Sequence, residues 1–291
     1  MSSALQLWEG RVVAEGKFPL RICVGESDHS AVFETFGPVI SPDSGKAAIK
    51  LIPTTANQAD QQLLRWEAAS ELNHPNLIRI LEAGRCELDD LQLLYVVEEF
   101  AEENLSQVLP ERALTPEEVQ GMLPAILSAL LYLHGKGFVH AHLQPSNVMA
   151  IGDQIKLSSD SLIAPGENGR HERAPGAYNP PEAATGPLST ASDVWQLGVL
   201  LTEALTQRAP VSDPQHPTPV ALPDGIPQPL VEVIENSLRV DPDRRWTVAQ
   251  ILARLEGRRP DVPSPQPSRR SHQETLGSEW MRRLSQVRGT G

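Results

Sequence analysis

Cysteine is nearly absent from this chain: Cys23 and Cys86 are the only two in 291 residues. Two thiols cannot build a disulfide framework, and their spacing is not that of a metal site. Both are therefore expected to be ordinary buried thiols in a protein of the reducing cytoplasm. Long hydrophobic runs are missing as well. No stretch of about 18 apolar residues occurs, and the opening MSSALQLWEG is broken by Glu9 and Gly10, so neither a membrane-inserted helix nor an export signal is expected. Positive charge is in short supply: Lys and Arg number 25 against 37 Asp and Glu, for a net charge of −12 and a pI near 5.1. A field of that sign repels phosphate backbones and anionic lipid, which disfavours nucleic acid and membrane as partners. What is present suffices for a core, since 40% of residues are hydrophobic and the length suits one large domain or two small ones.

Along the chain, the first hundred residues carry strand-like runs, RICVG, AVFETF, AAIKLIP and LQLLYVVEEF, separated by turn formers such as SPDSG. One helical segment interrupts them, with leucines and alanines at helical spacing from Asn57 to Leu72 before Pro75. The expectation is a mostly antiparallel sheet with one helix. After about residue 101 the pattern turns helical. Thr115 and Glu118 form a capping box with Pro116 at the first helical position, and Leu123, Ile126, Leu127, Leu130, Leu131 and Leu133 make a broad apolar face. SDVWQLGVLLTEALT at 192 to 206 is apolar nearly all round, as a central helix should be, and PLVEVIENSLRV and TVAQILARLEG are amphipathic. From Gly257 the sequence RRPDVPSPQPSRRSHQ has too little apolar surface to offset chain entropy and is expected to be a disordered tail. Within it, Trp280, Met281, Leu284 and Val287 are spaced to share one face of a short helix, though a frayed terminus is the plainer expectation, and Pro260, Pro263, Pro265 and Pro267 suit a linker or an extended ligand.

In order along the chain stand AAIK at 47 to 50, NHPNLIRI, HAHLQPSN after the helix ending YLHGKGFV, NPPE at 179 to 182, SDVWQLG at 192 to 198 and DPDRRWT at 241 to 247. This series resembles a protein kinase domain of the eukaryotic-like, bacterial-type Ser/Thr family over about residues 8 to 256. The resemblance implies an α+β fold of two lobes: a small antiparallel β lobe with one helix, about 8 to 100, and a larger α-helical lobe, about 101 to 256, with 257 to 291 as the tail. It implies a nucleotide site built from Gly25, Val32, Ala48, Lys50 and Asn147, with Lys50 as the lysine that pairs with phosphates. It also implies a buried ion pair between Glu182 and Arg245, and a brace for the catalytic loop from Asp193.

At the chemical positions the sequence departs from the family. Phosphoryl transfer needs a group that positions the hydroxyl, metal ions that bridge phosphates, and cations that balance developing charge. In the loop His140 to Asn147, the family's aspartate is His142, its lysine is Gln144 and its arginine is Ala141. After the strand IKL, the register places Ser159 at the metal-binding aspartate, with Asp160 one residue late and so turned to the opposite face of an extended segment. Asn147 and Asp160 are the remaining metal candidates, and together they are a poor magnesium site. In the glycine-rich loop Gly25 matches the first glycine, where freedom to adopt positive φ is useful. Ser27 and Ser30 replace the other two, and Glu26 and Asp28 add negative charge. The helix glutamate that would pair with Lys50 falls on Arg65, and Glu67 lies about 200° round the helix from it. Glu98, at the gatekeeper position, is then a candidate partner for Lys50; a one-residue slip would turn Glu99 inward instead.

These departures favour a pseudokinase that binds or regulates a protein partner, with no cofactor required, ATP as the ligand to test and magnesium doubtful. Two alternatives stay open: a weak or unorthodox Ser/Thr kinase using His142 or Asp160, and a nucleotide-binding switch without turnover. His134, His140 and His142 lie close together but lack an accompanying carboxylate or thiolate, so no metal is expected there. The acidic run EEFAEEN reads as a solvated face.

Overall fold

The computed structural model describes residues 8–27, 30–37, 45–167, 176–184, 186–210 and 222–258. They fall into two compact units. The first takes the chain up to Asn73 with Leu77–Glu102, and the second takes His74–Asn76 with the chain from Glu103.

In the first unit a hairpin of β1 (Val12–Val13) and β2 (Phe18–Pro19) precedes a five-stranded antiparallel sheet. Its strands are β3 (Cys23–Ser27), β4 (Ser30–Phe36), β5 (Lys46–Pro53), β6 (Ile80–Leu88) and β7 (Leu91–Glu99), ordered β3-β4-β5-β7-β6, with helix α1 (Ala56–Ser70) between β5 and β6. Because strand side chains alternate, the two faces separate cleanly. Ala31, Phe33, Ala47, Ile49, Leu51, Tyr95 and Val97 bury one face against Trp8, Val13, Phe18 and Leu20. The opposite face receives Val32, Ala48, Lys50, Val96 and Glu98.

The helix begins and ends one or two residues earlier than its periodicity suggests. Edge strand β6 and the β1–β2 hairpin had no expectation at all. Strand β6, ILEAGRCEL, is paired on one side only and half exposed along most of its length, so its alternation is faint. The signal that marks it is the pair Asp89 and Asp90, both left-handed (φ 50° and 63°), a two-residue turn of the kind that matches strand twist. Gly84 on β6 is required by close approach, since a Cβ there would stand 2.7 Å from the Tyr95 hydroxyl. The thiols of Cys23 and Cys86 are half-buried and free, and burial pushes Cys86 up to about 11.

The second unit contains β8 (Glu103–Asn104), α2 (Leu105–Val108), α3 (Pro116–Lys136), β9 (Val148–Ile151), β10 (Gln154–Leu157), α4 (Thr190–Thr206), α5 (Gln228–Ser237) and α6 (Val248–Leu255). Helix α3 starts at the Thr115 capping box, with Pro116 in its first turn, and stops at Gly137, whose φ of 80° suits a left-handed cap. Arg112 and the Thr115 amide both engage Glu118 and hold its carboxyl down at about 2. Helix α4 is buried along nearly its whole length, as its all-round apolar sequence implied. The short segment His74–Asn76 belongs here because His74 stacks on Tyr132 with ring centroids 4.9 Å apart, Asn76 Nδ2 donates to the Ile155 carbonyl, and the Leu157 amide donates to the Asn76 carbonyl.

Among the described residues no helix is long and apolar enough to cross a membrane. The expectations for Asp28, for the residues beyond 258 and for the amphipathic turn at 280 to 287 lie outside the described residues.

Two glycines test the packing directly. A Cβ on Gly198 in α4 would meet Leu238 and Ser237 at 2.8 Å, whereas one on Gly121 in α3 meets nothing within 4 Å. Gly198→Ala is therefore expected to destabilise by about 1–3 kcal/mol through overpacking. Gly121→Ala, at an exposed helical position, is expected to stabilise by about 0.5–1 kcal/mol. Urea unfolding of both variants, read at the midpoint, checks the opposite signs.

Candidate functional site

The first unit contributes one sheet face. Gly25 pairs with Val32, Val32 with Lys50 and Lys50 with Val96, so these four residues form a row across β3, β4, β5 and β7. The next row runs Glu34, Ala48, Glu98 and Ile80. Gly25, Val32, Ala48 and Lys50 thus share one surface, as the kinase resemblance implies. Glu98 shares it too. It is 7% exposed, whereas Glu99 is half-buried and accepts a hydrogen bond from the Arg79 amide at 3.1 Å. The slipped register is thereby excluded, and Glu98 is the inward carboxylate, one diagonal step from Lys50 in a geometry that long side chains bridge. On α1, the buried stripe is Ala59, Gln62, Trp66 and Ala69; Arg65 is half-buried and Glu67 is exposed.

Gly25 departs from its expected role. Its φ is not left-handed, and a Cβ there would lie 3.8 Å from Val32 Cβ, an ordinary contact, so although the β3–β4 register shifts between Cys23 and Gly25, this is not a conformation only glycine adopts. At the hairpin tip, Ser27 and Ser30 pair through their backbone and bring their hydroxyls within 2.9 Å of each other.

Glu34 was not found from sequence. It is 5% exposed, and its carboxylate is engaged by Arg21 and, at 3.0 Å, by Lys46. Each cation lies over an aromatic ring, Arg21 over Phe36 and Lys46 over Phe100, about 5 Å from the centroids.

The second unit contributes the loop from His140 to Asn147, and here every strut is in place. Asp193, in the first turn of α4 and fully buried, accepts hydrogen bonds at 2.8 Å from His134 Nε2, the His140 amide and the Ala141 amide. One turn on, Gln196 accepts from the Leu143 amide at 2.9 Å and donates to the Ala141 carbonyl at 3.1 Å. Together they hold Ala141 at φ 62°, a left-handed conformation that costs an alanine about 1–2 kcal/mol. Asn147 Nδ2 donates to the His142 carbonyl at 2.7 Å, and the buried His140 ring accepts from the His142 amide through Nδ1.

The chemical positions read differently. His142 is half-buried, Gln144 Nε2 donates to the Ser146 hydroxyl at 2.8 Å, and Asn147 commits one of its two amide N–H groups to the His142 carbonyl. Beyond β10, Ser159 is 2% exposed and Asp160 is 8% exposed at the start of a turn. The hairpin β9–β10 is in regular register over four pairs, so it supplies no bulge that would shift Asp160 by one position. Among the described residues no three or more His, Cys, Asp or Glu side chains are grouped to hold a metal ion. A magnesium ion held between nucleotide phosphates needs only one or two protein donors, and Asn147 and Asp160 are the side chains here that could offer them.

Farther along, Glu182 and Arg245 form a bidentate pair at 2.7 Å on both arms. Arg245 also donates to the carbonyls of Arg239, Val240 and Ala191, so all five of its N–H groups are satisfied, and its side chain is fully buried over the Trp195 ring. Ser192 Oγ donates to the same carboxylate.

A five-stranded sheet with one helix, and a helical unit whose loop is braced from a central buried helix, define the class of a kinase fold. The protein kinase domain family matches residues 24–255, and the chain belongs to that family. A probable serine/threonine-protein kinase of Streptomyces coelicolor is 30% identical over 208 residues, covering 63% of this chain and 31% of the relative. The serine/threonine-protein kinase PksC of the same organism is 25% identical over 280 residues, covering 84% of this chain and 49% of its own. This chain thus spans between about a third and a half of those relatives. Among solved structures, Rad53 1–466 in complex with AMP-PNP gives a TM-score of 0.66 at 22% identity over 85% of this chain and 67% of that one, a likeness of fold.

The Glu182–Arg245 pair carries a stability prediction. Glu182→Ala leaves a buried guanidinium without its counter-ion and is expected to cost about 3–5 kcal/mol. Changing both residues, Glu182→Ala with Arg245→Met, is expected to cost less than the sum of the two single changes, because no uncompensated charge is left. Denaturant midpoints of the three variants check it.

Proposed function

We propose that this chain is a pseudokinase, a protein kinase domain impaired in phosphoryl transfer that acts on a protein partner through its surface. One observation carries the reading. The catalytic loop keeps its full hydrogen-bonded scaffold from Asp193, Gln196 and Asn147, while the side chains that scaffold would present are histidine and glutamine. A carboxylate at position 142 would accept and orient a substrate hydroxyl, and its loss commonly costs 10² to 10⁴ in rate. Gln144, tied to Ser146, carries no charge to balance a transferring phosphoryl. Ser159, buried where the metal-binding carboxylate would stand, removes the charge stabilisation on which this reaction chiefly depends.

On the upper face Glu98 supports the same conclusion. Its carboxylate shares the surface of Ala48 and Lys50, so we read it as the counter-ion that occupies the lysine a nucleotide would need. The sheet face otherwise retains the shape of a nucleotide platform, which keeps metal-independent nucleotide binding as the second reading.

Three expectations follow for the full chain. Radiolabelled transfer from ATP stays at background in the wild type, and neither Lys50→Ala nor Asp160→Ala changes it. Transfer above background that both substitutions abolish makes the protein an enzyme and removes the proposal. In thermal melts, ATP with magnesium gives no more stabilisation than ATP with EDTA. Glu98→Gln, which releases Lys50, raises any ATP-dependent shift in melting temperature; an unchanged shift dismisses the ion pair.

A further inference from the structure

Glu34 lies outside the kinase motifs, yet it is 5% exposed in the middle of β4. A carboxylate is buried at tolerable cost only where its oxygens meet donors. Here Oε1 accepts from Arg21 Nη1, and Oε2 accepts from Lys46 Nζ at 3.0 Å. The backbone fixes where both cations start. The Arg21 amide donates to the Glu34 carbonyl and the Glu34 amide donates to the Ile22 carbonyl, each at 2.9 Å, while Lys46 stands opposite Phe36, two residues along β4.

Each cation also has a ring. The Arg21 guanidinium lies 5.0 Å from the Phe36 centroid, and Lys46 Nζ lies 5.3 Å from that of Phe100. The cations are partly exposed, and they cover the buried carboxylate beneath them. A cation shared between a carboxylate and a ring is directed by both: Glu34 limits where Nζ can stand, and Nζ in turn favours one placement of the ring face.

The position of Phe100 gives this chain of contacts a consequence. Strand β7 ends at Glu99, and the chain passes to the second unit after Glu102. On the β6 side, the Glu99 amide donates to the Arg79 carbonyl and the Glu99 carboxylate accepts from the Arg79 amide, both at 3.1 Å. On the β5 side, Lys46 holds the next residue. We propose that Glu34, acting through Lys46, is a positioning residue for Phe100–Glu102, the segment by which the chain leaves the first unit. The latch is electrostatic, so it fails when Lys46 loses its charge or Phe100 its ring, although the apolar packing around both is kept. It uses none of Lys50, Glu98, His142 or Ser159, and it holds whether or not the chain transfers phosphate.

Hydrogen exchange read by mass spectrometry on the full chain tests this, with the peptide over 98–102 as reporter because it carries the bonded Glu99 amide. A partly exposed cation–π contact corresponds to a factor of about two to five in a local opening equilibrium. Lys46→Met keeps the apolar stem and removes the charge, and Phe100→Leu keeps apolar bulk and removes the ring. Each is expected to speed exchange of the reporter by about two- to fivefold, with α1 amides unchanged. The double variant is expected to exchange no faster than the faster single one, because both changes remove the same contact. Glu34→Gln, which leaves Lys46 charged but no longer aims it, loosens the same peptide, whereas Lys46→Arg, which keeps a cation in place, exchanges as wild type does. An unchanged reporter in Lys46→Met, Phe100→Leu or Glu34→Gln overturns the proposal, as do effects that multiply in the double variant. Loosening spread over the whole first unit overturns it too, because Glu34 is then a general tie of the sheet. A Lys46→Arg effect as large as that of Lys46→Met has the same force, since the charge is then not what holds the segment.

Discussion

The carboxylate of Asp193 is the point on which the second unit turns. It is fully buried and receives one side-chain and two backbone N–H groups, each at 2.8 Å. A buried carboxylate with fewer donors would carry a large desolvation penalty, and two backbone N–H groups left without an acceptor would carry their own. The arrangement satisfies both requirements at once. It also fixes Ala141 in a conformation that alanine otherwise avoids, which in turn sets the direction in which residues 142 to 147 leave the helix α3 side of the unit. Gln196, one turn further along α4, repeats the logic with an amide that both accepts and donates.

This explains how a loop can be preserved in shape while its chemistry is replaced. The groups that hold the loop are backbone amides, an aspartate on another element and an asparagine side chain that closes on the His142 carbonyl. None of them is a side chain that would touch a phosphoryl group. The side chains at 142 and 144 do not supply the bonds from Asp193, Gln196 and Asn147 that hold the loop. Glu182 and Arg245 belong to the scaffold class: with all five guanidinium N–H groups satisfied, loss of either partner strands a buried charge. Structural positions are retained and chemical positions are changed, and the division follows the direction of the hydrogen bonds.

Much of this was legible locally. The Thr115–Glu118 box, Pro116 and Gly137 mark both ends of α3, and the uninterrupted apolar character of 192 to 206 marks α4 as central. Ordered motifs located the loop, Lys50 and the Glu182–Arg245 pair. What sequence did not disclose depends on residues far apart in the chain. Strand β6 is half-exposed at an edge, so its periodicity is diluted, and its clearest mark is the Asp89–Asp90 turn that follows it. The burial of Glu34 rests on Arg21 and Lys46, 13 and 12 residues away across strands. His74–Asn76 joins the second unit through Tyr132 and Ile155, contacts with no local signature. Gly25 shows the opposite limit: a motif match gave it a conformational role, positive φ, that its backbone does not use.

The separate departures from the family have one electrostatic sense. Glu98 adds a carboxylate to the face of Lys50 and Glu26 stands exposed on β3, so the sheet surface of the first unit gains negative charge. In the second unit, Gln144 and Ser159 stand where the family motifs lead one to expect a lysine and a metal-binding carboxylate. A triphosphate with its metal requires cations and donors near its oxygens and carboxylates near its metal. Here the substitutions run against both requirements. Changes that damaged folding would fall at Asp193, Gln196, Glu182 or Arg245. The departures fall instead at Glu98, His142, Gln144 and Ser159, none of which supplies the hydrogen bonds that Asp193, Gln196, Glu182 and Arg245 make.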